Sequence, residues 1–160
     1  GALLKYLGEA HKAQGNYDQA VTCLQNAVRC NPRDAAAMSL LGELYDQQGQ
    51  GDDIALTLCR KAVEIDGGSC DYWYRLGKVQ FRQGDAANAM AALKKCSRMN
   101  TRRVDVALLR GRIFAQIGKR KNARRMFEKV LKMEPDNTVA RSFLEQFFHE
   151  SNKRRLQDGV

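Results

Sequence analysis

The sequence predicts an all-α fold built as an array of stacked helical repeats, and three observations carry that prediction. Glycines recur at Gly8, Gly42, Gly77 and Gly111, spaced 34, 35 and 34 residues apart. A small residue answers each one further along, at Ala20, Ala55, Ala89 and Ala123. Other places keep step: Leu7, Leu41, Leu76 and Arg110 precede the glycines, and His11, Tyr45, Gln80 and Phe114 follow three places after them. Glycine inside a helical run costs about 1 kcal/mol relative to alanine, so its regular return needs a structural reason. A fixed period near 34 is the mark of a stacked repeat.

These places resemble the tetratricopeptide repeat, whose pattern runs Trp-x-x-Leu-Gly-x-x-Tyr, then Ala, a bulky apolar residue and Pro. The third copy reads "WYRLGKVQF", with Trp73, Leu76 and Gly77 in the motif's places. Pro32 and Pro135 each close a copy, while Leu4, Met38 and Ala107 stand where Trp would be. The resemblance covers about residues 1 to 137 and implies a superhelical α-solenoid of antiparallel helix pairs. In such a pair the small residues let two backbones approach where the helices cross. Stacked neighbours then bury a core that no single repeat could bury alone.

Turn signals set the elements in order. Inner helices are expected near 2–14, 35–48, 71–83 and 104–117, and outer partners near 17–30, 52–66, 86–99 and 120–133. Gly15-Asn16, Gly49-Gln50-Gly51, Gly84-Asp85 and Gly118-Lys119 stand where inner helices must stop. The extra residue of the second copy falls in "QQGQGDD", where insertion is cheap. Repeats therefore span about 1–34, 35–69, 70–103 and 104–137. After Pro135, Asp136 or Asn137 can cap a ninth helix near 137–150. Val139, Ala140, Phe143, Leu144, Phe147 and Phe148 would form its apolar face, completing a single array over 1–150. The polar tail 151–160 is expected to fray.

Apolar residues make up 44% of the chain, and no run of about twenty of them exists to span a membrane. The chain opens Gly1-Ala2 without Met and without a charged-then-apolar leader. Five cysteines, Cys23, Cys30, Cys59, Cys70 and Cys96, include no C-x-x-C pair. Cys59 and Cys96 fall at core places and read as buried free thiols. The odd, scattered set points to a reducing, cytoplasmic compartment. Metal ligands would need to cluster, and neither His11 nor His149 has a nearby partner for catalysis. No enzyme activity, cofactor or metal is expected.

The net charge of +9 is concentrated: Arg98 to Lys132 holds 12 Lys or Arg against Asp105 and Glu128. "GKRKNARRMFEKVLK" is the densest stretch and predicts a basic surface at Lys119, Arg120, Lys121, Arg124 and Arg125. Its reading is either a solvated face or a surface for an acidic protein, RNA or membrane. Stacking platforms for bases are missing, because Phe114 and Phe127 sit at core places.

A repeat array of this kind binds along the surface lined by its inner helices. Helical spacing around each glycine places Lys5, Glu9, Lys12, Glu43, Asp46, Tyr74, Lys78, Phe81, Arg82 and Arg112 there. Tyr74 and Phe81 beside Lys78 and Arg82 make the third copy the expected anchor, since aromatics and Arg dominate interface energetics. The acids of the first two copies predict a ligand with a basic end there and an acidic, apolar end at the third. Some relatives clamp chaperone C-terminal carboxylates; Lys5 and Arg75 match that clamp, but Glu9, Leu40 and Asp71 do not. Acids in two of five places repel a carboxylate, so chaperone tails are not expected.

The expected role is a noncatalytic module that binds a peptide or protein segment as a scaffold or adaptor. The alternatives are a regulatory or assembly segment of a larger enzyme and a basic RNA-binding array. Leu3, Leu4 and Leu7 lack a covering helix in the sequence, so further repeats or self-association through this edge are expected.

Overall fold

The computed structural model describes residues 2–49 and 51–157; the side chains of residues 52, 148 and 150–157 are outside it. Gln50, in an expected turn, and the last three residues of the expected tail also lie outside the described residues. Among the described residues every regular element is a helix, and all nine expected helices are present. They are α1 (Ala2–Ala13), α2 (Tyr17–Cys30), α3 (Ala35–Gln48), α4 (Asp52–Ile65), α5 (Cys70–Arg82), α6 (Ala86–Met99), α7 (Val104–Gln116), α8 (Arg120–Met133) and α9 (Thr138–Gln157). The chain forms two compact units, Gly1–Met99 with α1 to α6 and Asn100–Val160 with α7 to α9.

The recurrent glycines sit at crossings so close that a side chain would collide. A β-carbon on Gly8 would stand 2.7 Å from Leu24 Cγ, and one on Gly42 would stand 2.7 Å from Cys59 Sγ and 2.9 Å from the Ala55 carbonyl. Gly77 meets Leu93 and Gly111 meets Phe127 in the same way. The helix-propensity cost of glycine is thus exchanged for close packing of each pair. At the far end of α3, Gly49 takes φ 64° and donates to the Asp46 and Tyr45 carbonyls, a left-handed stop that glycine adopts without strain.

In the first unit α3 buries Ala37, Leu40, Leu41 and Leu44 against Ala20, Leu24 and Ala27 of α2. Leu76 and Val79 of α5 repeat the contact against Ala55 and Cys59 of α4. The register-equivalent residues of α1 are different: Leu3, Tyr6 and Leu7 are 71%, 62% and 41% exposed. In the second unit Phe127 of α8 stacks on Phe143 of α9 with ring centroids 4.7 Å apart. Asn137 accepts the Ala140 N–H through its side chain, the expected cap of α9. The α9 backbone then continues to Gln157, past the expected boundary at 150, because "SNKRRLQ" contains no Gly or Pro to stop it.

One expectation is corrected. Cys96 is buried as expected, yet it is not a free thiol: it forms a disulfide with Cys70, Cα to Cα 4.4 Å. Cys70 opens α5 and Cys96 lies near the end of α6, and an antiparallel pair brings those ends together. Sequence separation hid that adjacency. The pair is not part of a free-thiol set such as the one that pointed to a reducing compartment. Cys59 does remain a buried thiol, and burial pushes its pKa up to about 12.

Candidate functional site

The inner helices α1, α3 and α5 bring a network of charges onto one side of the first unit. Its centre is Glu43, only 8% exposed and placed mid-helix in α3 among apolar neighbours. An isolated buried carboxylate would be neutral. Glu43 instead accepts from Lys12 of α1, and from Arg75 Nε and Lys78 Nζ of α5, each at 3.0 Å. Burial pushes its pKa up, but the Lys12 hydrogen bond and the Lys78 and Lys12 charges outweigh that and hold it at about 2. Arg75 also donates to the Ser39 hydroxyl at 3.2 Å. One helical turn further along α3, Asp46, 4% exposed, accepts from Arg82 at 3.0 Å.

Three successive inner helices are therefore tied together by two buried acids and four cations. Lys12, Arg75 and Lys78 are half-buried and Arg82 is exposed. An ammonium carries three donors and a guanidinium five, and the buried acids hold these donor groups in place. Tyr74 and Phe81 are half-buried on α5, with Lys78 Nζ 5.8 Å from the Tyr74 ring centroid. Lys5 is half-buried and lies 5.2 Å over Tyr6, while Glu9 is exposed.

Most of the groove residues expected from the sequence thus gather on these helices, but their charges act differently. Glu43 and Asp46 face inward and are neutralised within the protein, so neither is offered to a basic ligand. The helical spacing assigned them to the inner-helix face without revealing how deeply they sit. Arg75 was missed as a member of the network, while Ser39 falls at a groove place of the second copy. Arg75 does leave a signal: it holds the place two before the glycine where Tyr6, Leu40 and Leu109 stand in the other copies. A cation in an apolar register place asks for a buried acid. Arg112, exposed on α7, belongs to the second unit.

The basic residues of α8 also lie in the second unit. Lys119, Lys121, Arg124 and Arg125 are exposed and Arg120 is half-buried. Arg124 donates to Glu128 at 2.7 Å. Among the described residues no group of three His, Cys, Asp or Glu stands close enough to hold a metal ion. No described helix is long and apolar enough to cross a membrane.

Family models described as tetratricopeptide repeat match residues 7–69, 71–102 and 104–137. A cellulose synthase operon protein C of Escherichia coli strain K12 is 38% identical over 87 residues, covering 50% of this chain and 7% of that protein. The chain spans less than a tenth of the length of the curated relatives it matches. A solved structure of Pseudomonas aeruginosa pilF aligns with TM-score 0.83 at 23% identity, over 94% of this chain and 69% of that one. YrrB, described as a repeat protein with an unusual peptide-binding site, aligns with TM-score 0.76 at 19% identity, over 86% of this chain and 71% of that one. At these identities both structures show the shared fold.

Proposed function

This chain belongs to the tetratricopeptide repeat family, a scaffold for protein–protein interaction, and on that premise we propose that the inner-helix face of its first unit binds a protein segment without catalysis. One observation carries the reading: four cations are paired to the buried Glu43 and Asp46 on the inner helices, and one of them, Lys78, lies 5.8 Å from the ring of the half-buried Tyr74. Fixed donors and rigid aromatics bind with little loss of side-chain freedom, the condition for an interface anchor. The described peptide site of YrrB, on the same fold, supports the choice of ligand class.

The polarity of the ligand follows from the pairing. The first copies keep Glu9 as their accessible groove acid, so little there attracts a basic end. Lys78 and Arg82 around the aromatics favour an acidic, apolar stretch on α5. Complementary charge of this kind mainly sets orientation. Chaperone tails fit poorly, since Glu9 and Asp71 are exposed acids where the clamp needs Asn and Lys. Capture of the native partner by cross-linking, repeated with a Tyr74→Ala/Phe81→Ala chain whose helicity is intact, tests the reading. Equal capture by both chains would refute it.

A second reading, an assembly segment within a larger protein, draws support from the small share of the curated relatives that this chain spans. The exposed Leu3, Tyr6 and Leu7 fit it, because their register-equivalents are covered by a preceding outer helix. Self-association would cover the same edge, and sedimentation at rising concentration separates a dimer from a monomer.

A further inference from the structure

Helix α8 breaks the electrostatic rules that the other outer helices obey. Asp18 lies in the first turn of α2, Asp53 in that of α4, and Asp85 caps α6 by accepting the Asn88 N–H. Acids there complement the positive end of the helix dipole. Helix α8 opens with Lys119, Arg120 and Lys121, has no acid in its first turn, and its Lys119 cap makes no side-chain bond. Along its length Lys121, Arg125, Lys129 and Lys132 follow one another at helical spacing, all of them exposed. Like charges at four-residue spacing repel. Glu128, bonded to Arg124, is the single acid of the helix.

The apolar side offers no reason for this arrangement. Ala123, Phe127 and Val130 are buried in the core of the second unit, and any polar residues would serve on the outer side. Local conflict retained against folding is where a sequence serves something else. We propose that the outward face of α8 is a docking surface for an acidic helical segment of a protein partner, separate from the inner-helix face of the first unit. The stripe repeats about every 6 Å along the axis, the spacing of Asp or Glu at every fourth residue of a partner helix.

Other anionic partners fit less well. No large hydrophobic residue of α8 is among the exposed ones, so nothing inserts into a bilayer. Phe127 is fully buried, which leaves no aromatic of α8 for stacking a single-stranded base. A tetratricopeptide scaffold draws its partners from proteins, which places the carboxylates on a polypeptide.

The test uses the full chain and a fluorescent alanine-based peptide of about 15 residues, long enough to be helical, with Glu at every fourth position. Binding is expected to weaken with salt and to vanish when Gln replaces Glu in the peptide. Lys121→Gln/Arg125→Gln/Lys129→Gln should lower affinity about tenfold or more and leave the thermal midpoint unchanged or raised. Lys78→Gln should leave this binding unchanged. Unaltered affinity in the folded triple variant overturns the proposal, as does loss of binding in Lys78→Gln alone, which would move the peptide to the inner face. Tighter binding of a double-stranded RNA oligonucleotide or of phosphatidylserine vesicles than of the Glu peptide, at equal salt, also overturns it.

Discussion

Arg75 Nε lies 3.0 Å from Glu43 Oε2, joining the inner helix of the third repeat to that of the second through a carboxylate that is only 8% exposed. Lys12 reaches the same oxygen from the first repeat and Lys78 takes the other one. The carboxylate is a joint between three repeats, and its charge is what holds it.

Stability should therefore fall in acid through Glu43. Its pKa is lowered from 4.5 to about 2, so its contribution is present above pH 4.5 and is lost as pH falls towards 2. The shift corresponds to about 3 kcal/mol at neutral pH. Glu43→Gln keeps the shape and removes the charge, leaving three cations without their acid, and should destabilise by about 3 kcal/mol. Urea unfolding from pH 7 to pH 3 checks this: the gap between the two proteins should narrow as pH falls. A gap that stays constant would assign the stability to another group.

The sequence displayed the fold well because glycine and alanine at a crossing leave a periodic trace. Gly8 with Ala20 and Gly42 with Ala55 fixed the helix pairs, and the glycine-containing turns set most boundaries to within one residue. Two things were not set by the glycine–alanine period, although Arg75 in an apolar register place hints at the first. The depth of Glu43 depends on cations contributed from more than thirty positions away on either side, at Lys12 and Arg75. The Cys70–Cys96 bond depends on how two helix ends meet, which spacing in the chain does not encode.

The cysteines should separate into three classes. In protein purified without reductant, Cys30 is exposed and should react first with a maleimide, followed by the half-buried Cys23. Cys59 should stay unreacted until unfolding, since burial holds its pKa at about 12 and reaction requires thiolate. Cys70 and Cys96 should take label only after reduction and unfolding. Peptide mapping by mass spectrometry reads all five. Native labelling of Cys96 without reductant would show that the disulfide is not formed in solution.

Binding through the inner face should split by residue type. Tyr74→Ala or Phe81→Ala should weaken the captured partner by about 2 kcal/mol, largely independent of salt. Lys78→Glu should weaken it through a term that shrinks as salt rises, because screened charges act over only about 10 Å at 0.1 M. Titration calorimetry at two salt concentrations distinguishes the two behaviours. An identical salt response in all three variants would mean that they share one structural defect.

The crossing at Gly42 offers the sharpest test of packing. Alanine is the better helix former by about 1 kcal/mol, so Gly42→Ala would stabilise α3 in isolation. In the folded unit its β-carbon would stand 2.7 Å from Cys59 Sγ and 2.9 Å from the Ala55 carbonyl oxygen. The sulfur can shift; the backbone oxygen moves only if the whole helix α4 moves. Overpacking of this kind costs about 1–3 kcal/mol, so net destabilisation is expected despite the propensity gain. Cys59→Ala alone should also destabilise, by leaving a void. Combined with Gly42→Ala it removes the sulfur from the collision, and the double variant should be more stable than the sum of the single losses predicts. Recovery should be partial, because the Ala55 carbonyl stays in place. Additive losses in denaturant unfolding would mean that Gly42 and Cys59 do not share the crossing, and full recovery would mean that the backbone contact carries none of the cost.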